Sequence, residues 1–244
     1  MIIVSSSPPP KTKSKTIGIL GGMGPLASAE FLWKLLECIP ANKDWDYPRI
    51  ILDSNTHIPS RSRAYAYNED SPLPGMIAAC RQLEQYSPTC IALPCNSAQA
   101  WLAELQTSLA TPVLNIFQAV TEKLQCDFSP DRPVMVLGGA ITYGRDTYKP
   151  YIEKAGFHYH KLDEAIQKNV ESFIESAKKT FISGDLAQLT AKCKNILETA
   201  CSTTNIHPIF IFGCTEFGMV ADTIKDHYFI DSLHAYAKYT ADYS

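Results

Sequence analysis

The sequence predicts an α/β protein built from two pseudo-symmetric parallel-sheet halves, with the functional site in the cleft between them. Three observations carry that expectation. From Lys15 onward, short β-branched apolar runs alternate with longer amphipathic segments, the order of a parallel sheet covered by helices. The segment Ile17–Gly22 (IGILGG) returns as Val134–Gly139 (VMVLGG), a strand followed by a diglycine in each case. Each copy then leads to an apolar strand ending in a cysteine and a small polar residue, IALPCNSA around Cys95 and IFIFGCTE around Cys214. The spacings nearly match, since 74 residues separate Gly21 from Cys95 and 76 separate Gly138 from Cys214.

Taken in order, the chain opens on MIIVSSSPPPKTKSK, whose serines, prolines and lysines predict a disordered tail over residues 1–15. That stretch lacks the long apolar run of a signal peptide or membrane span. The N-terminal half is expected over residues 16–116, completed by a C-terminal helix at about 231–244, and the C-terminal half over 117–230. In the first half, the apolar runs Thr16–Leu20, Arg49–Asp53, Thr89–Leu93 and Val113–Ile116 read as strands. The amphipathic segments Leu26–Cys38, Pro74–Tyr86 and Ala98–Leu109 read as the helices between them. In the second half, Val134–Leu137 and Pro208–Phe212 read as strands. Phe117–Gln125, Asp146–Ala155, Glu164–Ile182 and Asp185–Ser202 read as helices, and Leu233–Tyr239 as the closing one.

Of the 244 residues, 45% are hydrophobic and 19% charged, ordinary values for a globular chain, and the net charge of −3 gives no electrostatic reason to expect nucleic acid. A small molecule is the expected partner. Eight cysteines without a CxxC pair point to reduced thiols in a cytoplasmic protein. No metal is expected, because no two cysteines or histidines have metal-ligand spacing and the six histidines are dispersed.

The duplication puts Cys95 and Cys214 at the carboxyl ends of corresponding strands, where open parallel sheets place ligands. A cleft between the halves then presents both thiols to one ligand. Inverting a stereocentre requires a proton to leave one face of a carbon and another to arrive on the opposite face. Two thiols suit this if one is a thiolate and the other a thiol, their roles swapping with direction. Asn96, Ser97 and Thr215 are small donors at strand-to-helix turns, suited to a carboxylate. Cys38, Cys80, Cys126, Cys193 and Cys201 fall in or near helices and Cys90 in a strand, so these six read as packing residues.

The segments GGMGP (Gly21–Pro25), SNTHIPSR (Ser54–Arg61), PCNSAQ (Pro94–Gln99) and GCTE (Gly213–Glu216), in that order, resemble the aspartate/glutamate racemase family, its aspartate branch most of all. The similarity runs from about Lys15 to the helix after Asp231. It implies a two-domain α/β fold, often a homodimer, that racemises an acidic amino acid without pyridoxal phosphate or any other cofactor, using Cys95 and Cys214 as its two bases. It further implies that Arg61 binds a substrate carboxylate, that Lys168 reaches the substrate, and that Thr142, six residues before Tyr148, lines the pocket. Met23, Gly24, Asn55, Asn96, Ser97, Thr215 and Glu216 complete the substrate-binding set. Aspartate is the expected substrate, ahead of glutamate or a broader range.

The chain departs from the family pattern at Ser60, where aspartate is usual, at Ser97 and Gln99, where threonine and histidine are usual, and at Ile141 and Arg145 in place of glycine and serine. Two other readings stand beside the racemase. Gly22, Gly24 and Ala27 form a GxGxxA pattern, with Asp53 ending the next strand, as in a nucleotide site. The 29 residues from Gly24 to Asp53 exceed the roughly 20 of that fingerprint. A catalytically silent ligand-binding protein would tolerate loss of a cysteine, and both are present. Family members acting on hydantoins or maleate share the cysteine pair.

Overall fold

The computed structural model describes residues 15–183, 185–204 and 207–243; the tail expected over residues 1–15 lies, apart from Lys15, outside them. The elements of the first half are β1 (Thr16–Gly21), α1 (Pro25–Cys38), β2 (Arg49–Ser54), α2 (Arg61–Tyr67), α3 (Leu73–Glu84), β3 (Cys90–Ala92) and α4 (Leu102–Thr107). Then come α5 (Ile116–Asp127), β4 (Pro133–Leu137), α6 (Ala140–Gly144), α7 (Lys149–Lys154), β5 (His158–Tyr159), α8 (Glu164–Ser183) and α9 (Leu186–Cys201). The chain closes with β6 (Ile209–Phe212), α10 (Gly218–Ala221), β7 (Tyr228–Asp231) and α11 (Ser232–Tyr243).

These strands form two parallel sheets, β2-β1-β3 and β5-β4-β6-β7. The duplicated segments become β1 and β4, and each is flanked by its two neighbours in the same relative order. The match extends to a fourth position. Where β7 lies beside β6, the first sheet has a single parallel bridge from Ile91 to Val113. The strand expected at Val113–Ile116 is cut short because Asn115 caps α5, its side chain accepting from the N–H groups of Phe117 (2.8 Å) and Gln118 (3.1 Å).

Burial explains why β1, β4 and β6 read as continuous apolar runs, since both faces of each are covered. Alternate residues go to different cores. Ile17 and Ile19 of β1, Val134 and Val136 of β4, and Ile209 and Ile211 of β6 meet in one shared cluster with Phe31, Phe117 and Tyr236. The opposite faces are local. Leu20 packs with Met76, Leu83 and Leu93 on one side, and Met135, Leu137, Phe210 and Phe212 pack with Phe173 and Phe217 on the other. Helix α11 lies against α1 and α5, so the chain's last element returns to its first helix.

Other departures from expectation are local. The helix expected at Asp146–Ala155 is the shorter α7, starting only at Lys149 because Asp146 adopts left-handed backbone (φ 49°), and the unexpected α6 precedes it. The Asp146 carboxylate accepts from the Tyr159 hydroxyl (2.9 Å) and from Lys161 Nζ (3.0 Å). The strands β5 and β7 and the helix α2 were not expected from the sequence. They are short, and none is marked by a long periodic run.

Candidate active site

The loops following β1, β3, β4 and β6 all leave the carboxyl ends of their strands, and they converge on a cavity of about 320 Å³. Met23 to Ala27 and Glu30 line it from the start of α1, Ser60 to Ser62 from the start of α2, and Cys95 to Ser97 from the turn after β3. Gly139 follows β4, Cys214 to Glu216 follow β6, and Ile174, Ala177, Lys178 and Met219 close the far wall. The cavity thus brings Cys95 and Cys214 together with Met23, Gly24, Arg61, Asn96, Ser97, Thr215 and Glu216 of the expected set.

The first wall is organised around one carbonyl. The oxygen of Met23 accepts from the Cys95 thiol (3.4 Å) and from Arg61 Nη2 (2.5 Å), while Arg61 Nη1 donates to the Pro59 carbonyl (3.2 Å). Arg61 Nε is buried with no hydrogen-bond partner, a donor held in reserve beside the thiol. Gly24 caps α1 without a side-chain hydrogen bond, so the positive end of that 14-residue helix opens on the cavity. The turn before it needs glycine. Gly22 has φ +84°, and a side chain there would collide with the backbone of Asn55. The Gly22 N–H is taken by Ser28 Oγ (2.9 Å), which in turn donates to the Gly24 carbonyl (2.8 Å). Ser60, in place of the usual aspartate, caps α2 by accepting from the Arg63 N–H (3.3 Å).

The second wall is acidic. The Cys214 thiol donates to Glu216 Oε2 (2.8 Å), and the Thr215 hydroxyl donates to the same oxygen (3.1 Å). Burial pushes the Cys214 thiol well above the ordinary range; the Glu216 carboxylate and Cys95 add to the rise, while Lys178 opposes it. Glu30 also faces the cavity, and burial raises its carboxyl against the pull of Lys34, whose Nζ lies 3.4 Å from Glu30 and 3.3 Å from Asp231. Cys80, Cys90 and Cys193 differ in kind. They lie wholly inside the protein, where burial holds their thiols near 12, 11 and 12.

Several expected residues serve elsewhere. Lys168 is exposed on α8, because its neighbour Gln167 occupies the inward face and donates to the Gly138 carbonyl (3.0 Å). The α8 cation that lines the cavity is Lys178, ten residues further on and paired with Glu175 (2.7 Å). Thr142 is buried under Gly138 with its hydroxyl unpartnered, outside the cavity lining. Asn55 accepts from the His57 N–H (3.0 Å) in the loop behind Gly22 and also lies outside the lining. Lys178 and Glu30 were not read from the sequence, since each falls in an amphipathic helix with no motif around it.

Two departures from the family pattern prove structural. Gln99 is buried and donates to the carbonyls of Leu93 (3.2 Å) and Leu114 (3.0 Å), tying β3 to the start of α5. Arg145 stacks on the rings of Tyr65 and Trp101, each 5.4 Å from its guanidinium carbon, and so clamps α2 to the end of α6. Asn96 makes a third link across the halves. Its Nδ2 donates to Ser232 Oγ (3.1 Å) and its Oδ1 accepts from the Tyr148 hydroxyl (2.5 Å).

Comparison with known proteins gives the family and the fold. The family model described as Asp/Glu/Hydantoin racemase matches residues 20–240. The broad specificity amino-acid racemase RacX of Bacillus subtilis is 27% identical over 229 residues, covering 92% of this chain and 96% of that protein. The Picrophilus torridus aspartate racemase superposes with a TM-score of 0.78 at 23% identity, over 93% of each chain. The glutamate racemase of Francisella tularensis, solved in complex with D-glutamate, gives a TM-score of 0.62 at 19% identity, over 93% of this chain and 79% of that one.

Proposed function

The chain belongs to the Asp/Glu/Hydantoin racemase family, and from that premise we propose that it is a cofactor-independent amino-acid racemase using Cys95 and Cys214 as a thiolate/thiol pair. The observation that carries this reading is the presence of both thiols on one cavity at mirrored strand ends. Cys214, held protonated by burial and by Glu216, enters as the acid, and Cys95 takes the α-proton from the other face. Delivery of the Cys214 proton then inverts the carbon, and the reverse reaction exchanges the roles. The α-carboxylate sits at the open end of α1 within reach of Arg61, where cationic and N–H donors favour it.

For the substrate side chain, the charges of the cavity support a range wider than acidic amino acids. Arg61 and Lys178 are matched there by Glu30 and Glu216, so the wall has no net excess of positive charge to demand a second carboxylate. Aspartate is the second reading, and Lys178 favours it as the one further cation lining the cavity among the described residues. A homodimer in the cytoplasm completes the proposal; the exposed indole of Trp33 on the outer face of α1 supports association. No helix among the described residues is long and apolar enough to cross a membrane.

The test is racemisation in deuterated water without added cofactor, across acidic, neutral and basic amino acids, for the wild type and for Cys95→Ala and Cys214→Ala. The wild type inverts the α-carbon with deuterium incorporation on more than one class, and each variant loses inversion. Full activity in either variant overturns the two-base mechanism, and turnover of aspartate alone overturns the broad range. Sedimentation as a monomer at working concentration overturns the dimer.

A further inference from the structure

At the other end of the second sheet, three residues far apart in sequence come together. Cys201 ends α9, His207 precedes β6 and His227 precedes β7, and the ligand atoms of all three lie within 4.8 Å of one another. Because β6 and β7 are parallel, both histidines sit at amino ends of strands, opposite the carboxyl end that carries Cys214. Seven residues separate His207 from Cys214, about 20 Å of extended chain, so this cluster is distinct from the cavity.

We propose that Cys201, His207 and His227 bind a divalent transition-metal ion of borderline softness, of which Zn²⁺ is the type. The donor set, one thiolate and two imidazoles, is the kind such ions select over Mg²⁺ or Ca²⁺. The spacing fits as well. With metal–sulfur near 2.3 Å and metal–nitrogen near 2.05 Å, a tetrahedral site sets sulfur and nitrogen about 3.6 Å apart. Cys201 Sγ lies 3.8 Å from His227 Nδ1. His207 is exposed and Cys201 and His227 are half-buried, so His207 closes on the other two from the solvent side and leaves a position for water. Charge near the cluster is mixed: Glu198, one turn back on α9, and Asp226 act on it from the acidic side, while Lys194 opposes them and Arg132 donates to the His207 carbonyl (3.1 Å). The ion would pin the end of α9 to the starts of β6 and β7, bracing the second sheet from the end remote from catalysis.

The test uses Co²⁺ as a spectroscopic probe and Zn²⁺ in thermal denaturation. In full-length Cys95→Ala/Cys214→Ala protein, which removes the cavity thiols, one equivalent of Co²⁺ gives thiolate-to-metal charge transfer and tetrahedral visible bands. Cys201→Ser abolishes the charge transfer, and His227→Ala weakens binding by roughly a hundredfold or more. In the wild type, equimolar Zn²⁺ raises Tm, and His207→Ala, an exposed change that leaves the fold intact, removes most of that rise. Absence of stoichiometric binding, or binding and a Tm rise that survive these substitutions, overturns the proposal.

Discussion

The two cysteine turns occupy the same place in two copies of one strand arrangement, yet they are wired differently. Cys95 donates to the Met23 carbonyl, which also accepts from the Arg61 guanidinium, and Asn96 next to it is hydrogen-bonded to Ser232 and Tyr148. Cys214 donates to a carboxylate, and the residues after it face the cavity instead of the partner half. The repeated topology thus supplies two positions of like geometry with unlike neighbours, the difference on which the proposed division into acid and base rests. Asn96 accepts from Tyr148 of the second half and donates to Ser232, whose hydroxyl donates in turn to the Phe212 carbonyl at the end of β6 (2.6 Å).

The largest effect that sharpens this comparison is loss of either sulfur. Cys95→Ser and Cys214→Ser are each expected to lower kcat by about 10²–10⁴-fold in both directions, read by polarimetry, because a hydroxyl does not ionise near neutral pH. Retention of activity in only one of them would show the pair to be a single base with a bystander. Asn96→Ala tests that link. It removes the acceptor of the buried Tyr148 hydroxyl, while Ser232 keeps its bond to the Phe212 carbonyl (2.6 Å), at an expected cost of about 1–3 kcal/mol in urea denaturation. Thr215→Ala, on the turn without cross-links, is expected to leave stability nearly unchanged.

Glu216→Gln addresses the charge difference directly. Burial, Glu216 and Cys95 all hold the Cys214 proton on, so a reactive thiol persists to higher pH than in an ordinary cysteine. Removing the carboxylate removes one of those causes, and the alkaline limb of the kcat/KM profile is expected to move to lower pH. An unmoved limb would mean that the limb reports another group. The smallest effects separate the two lysines of α8: Lys178→Ala raises KM for aspartate several-fold with little change in kcat, and Lys168→Ala, on the exposed face, changes neither.

Much of the fold was legible because it was written twice. IGILGG and VMVLGG announced β1 and β4, and the two cysteine-ended strands announced β3 and β6, since strands buried on both faces leave a continuous apolar signature. The strands β5 and β7 are only partly buried and so left no continuous apolar run to read. In the site, motif residues next to turns were found because turn chemistry is local. Lys168 was misplaced because a helix face is set by tertiary packing: the inward position went to Gln167, and the cavity received Lys178 instead. Gln99 and Arg145 looked like changes to the pocket and turned out to hold the frame, a distinction that only distances make. The dispersed histidines gave no metal motif, yet His207 and His227 meet because parallel strands align their starting points.

The apolar cluster shared by β1, β4 and β6 has a mechanical consequence. Domains with separate interiors can swing about a linker, but here an opening motion would have to pull Ile17 and Ile19 away from a mass that also contains Val136, Ile211 and Tyr236. The jaw is therefore welded at its base. Traffic in and out must use the rim, and neither half, cut free of the other, would keep its own interior dry.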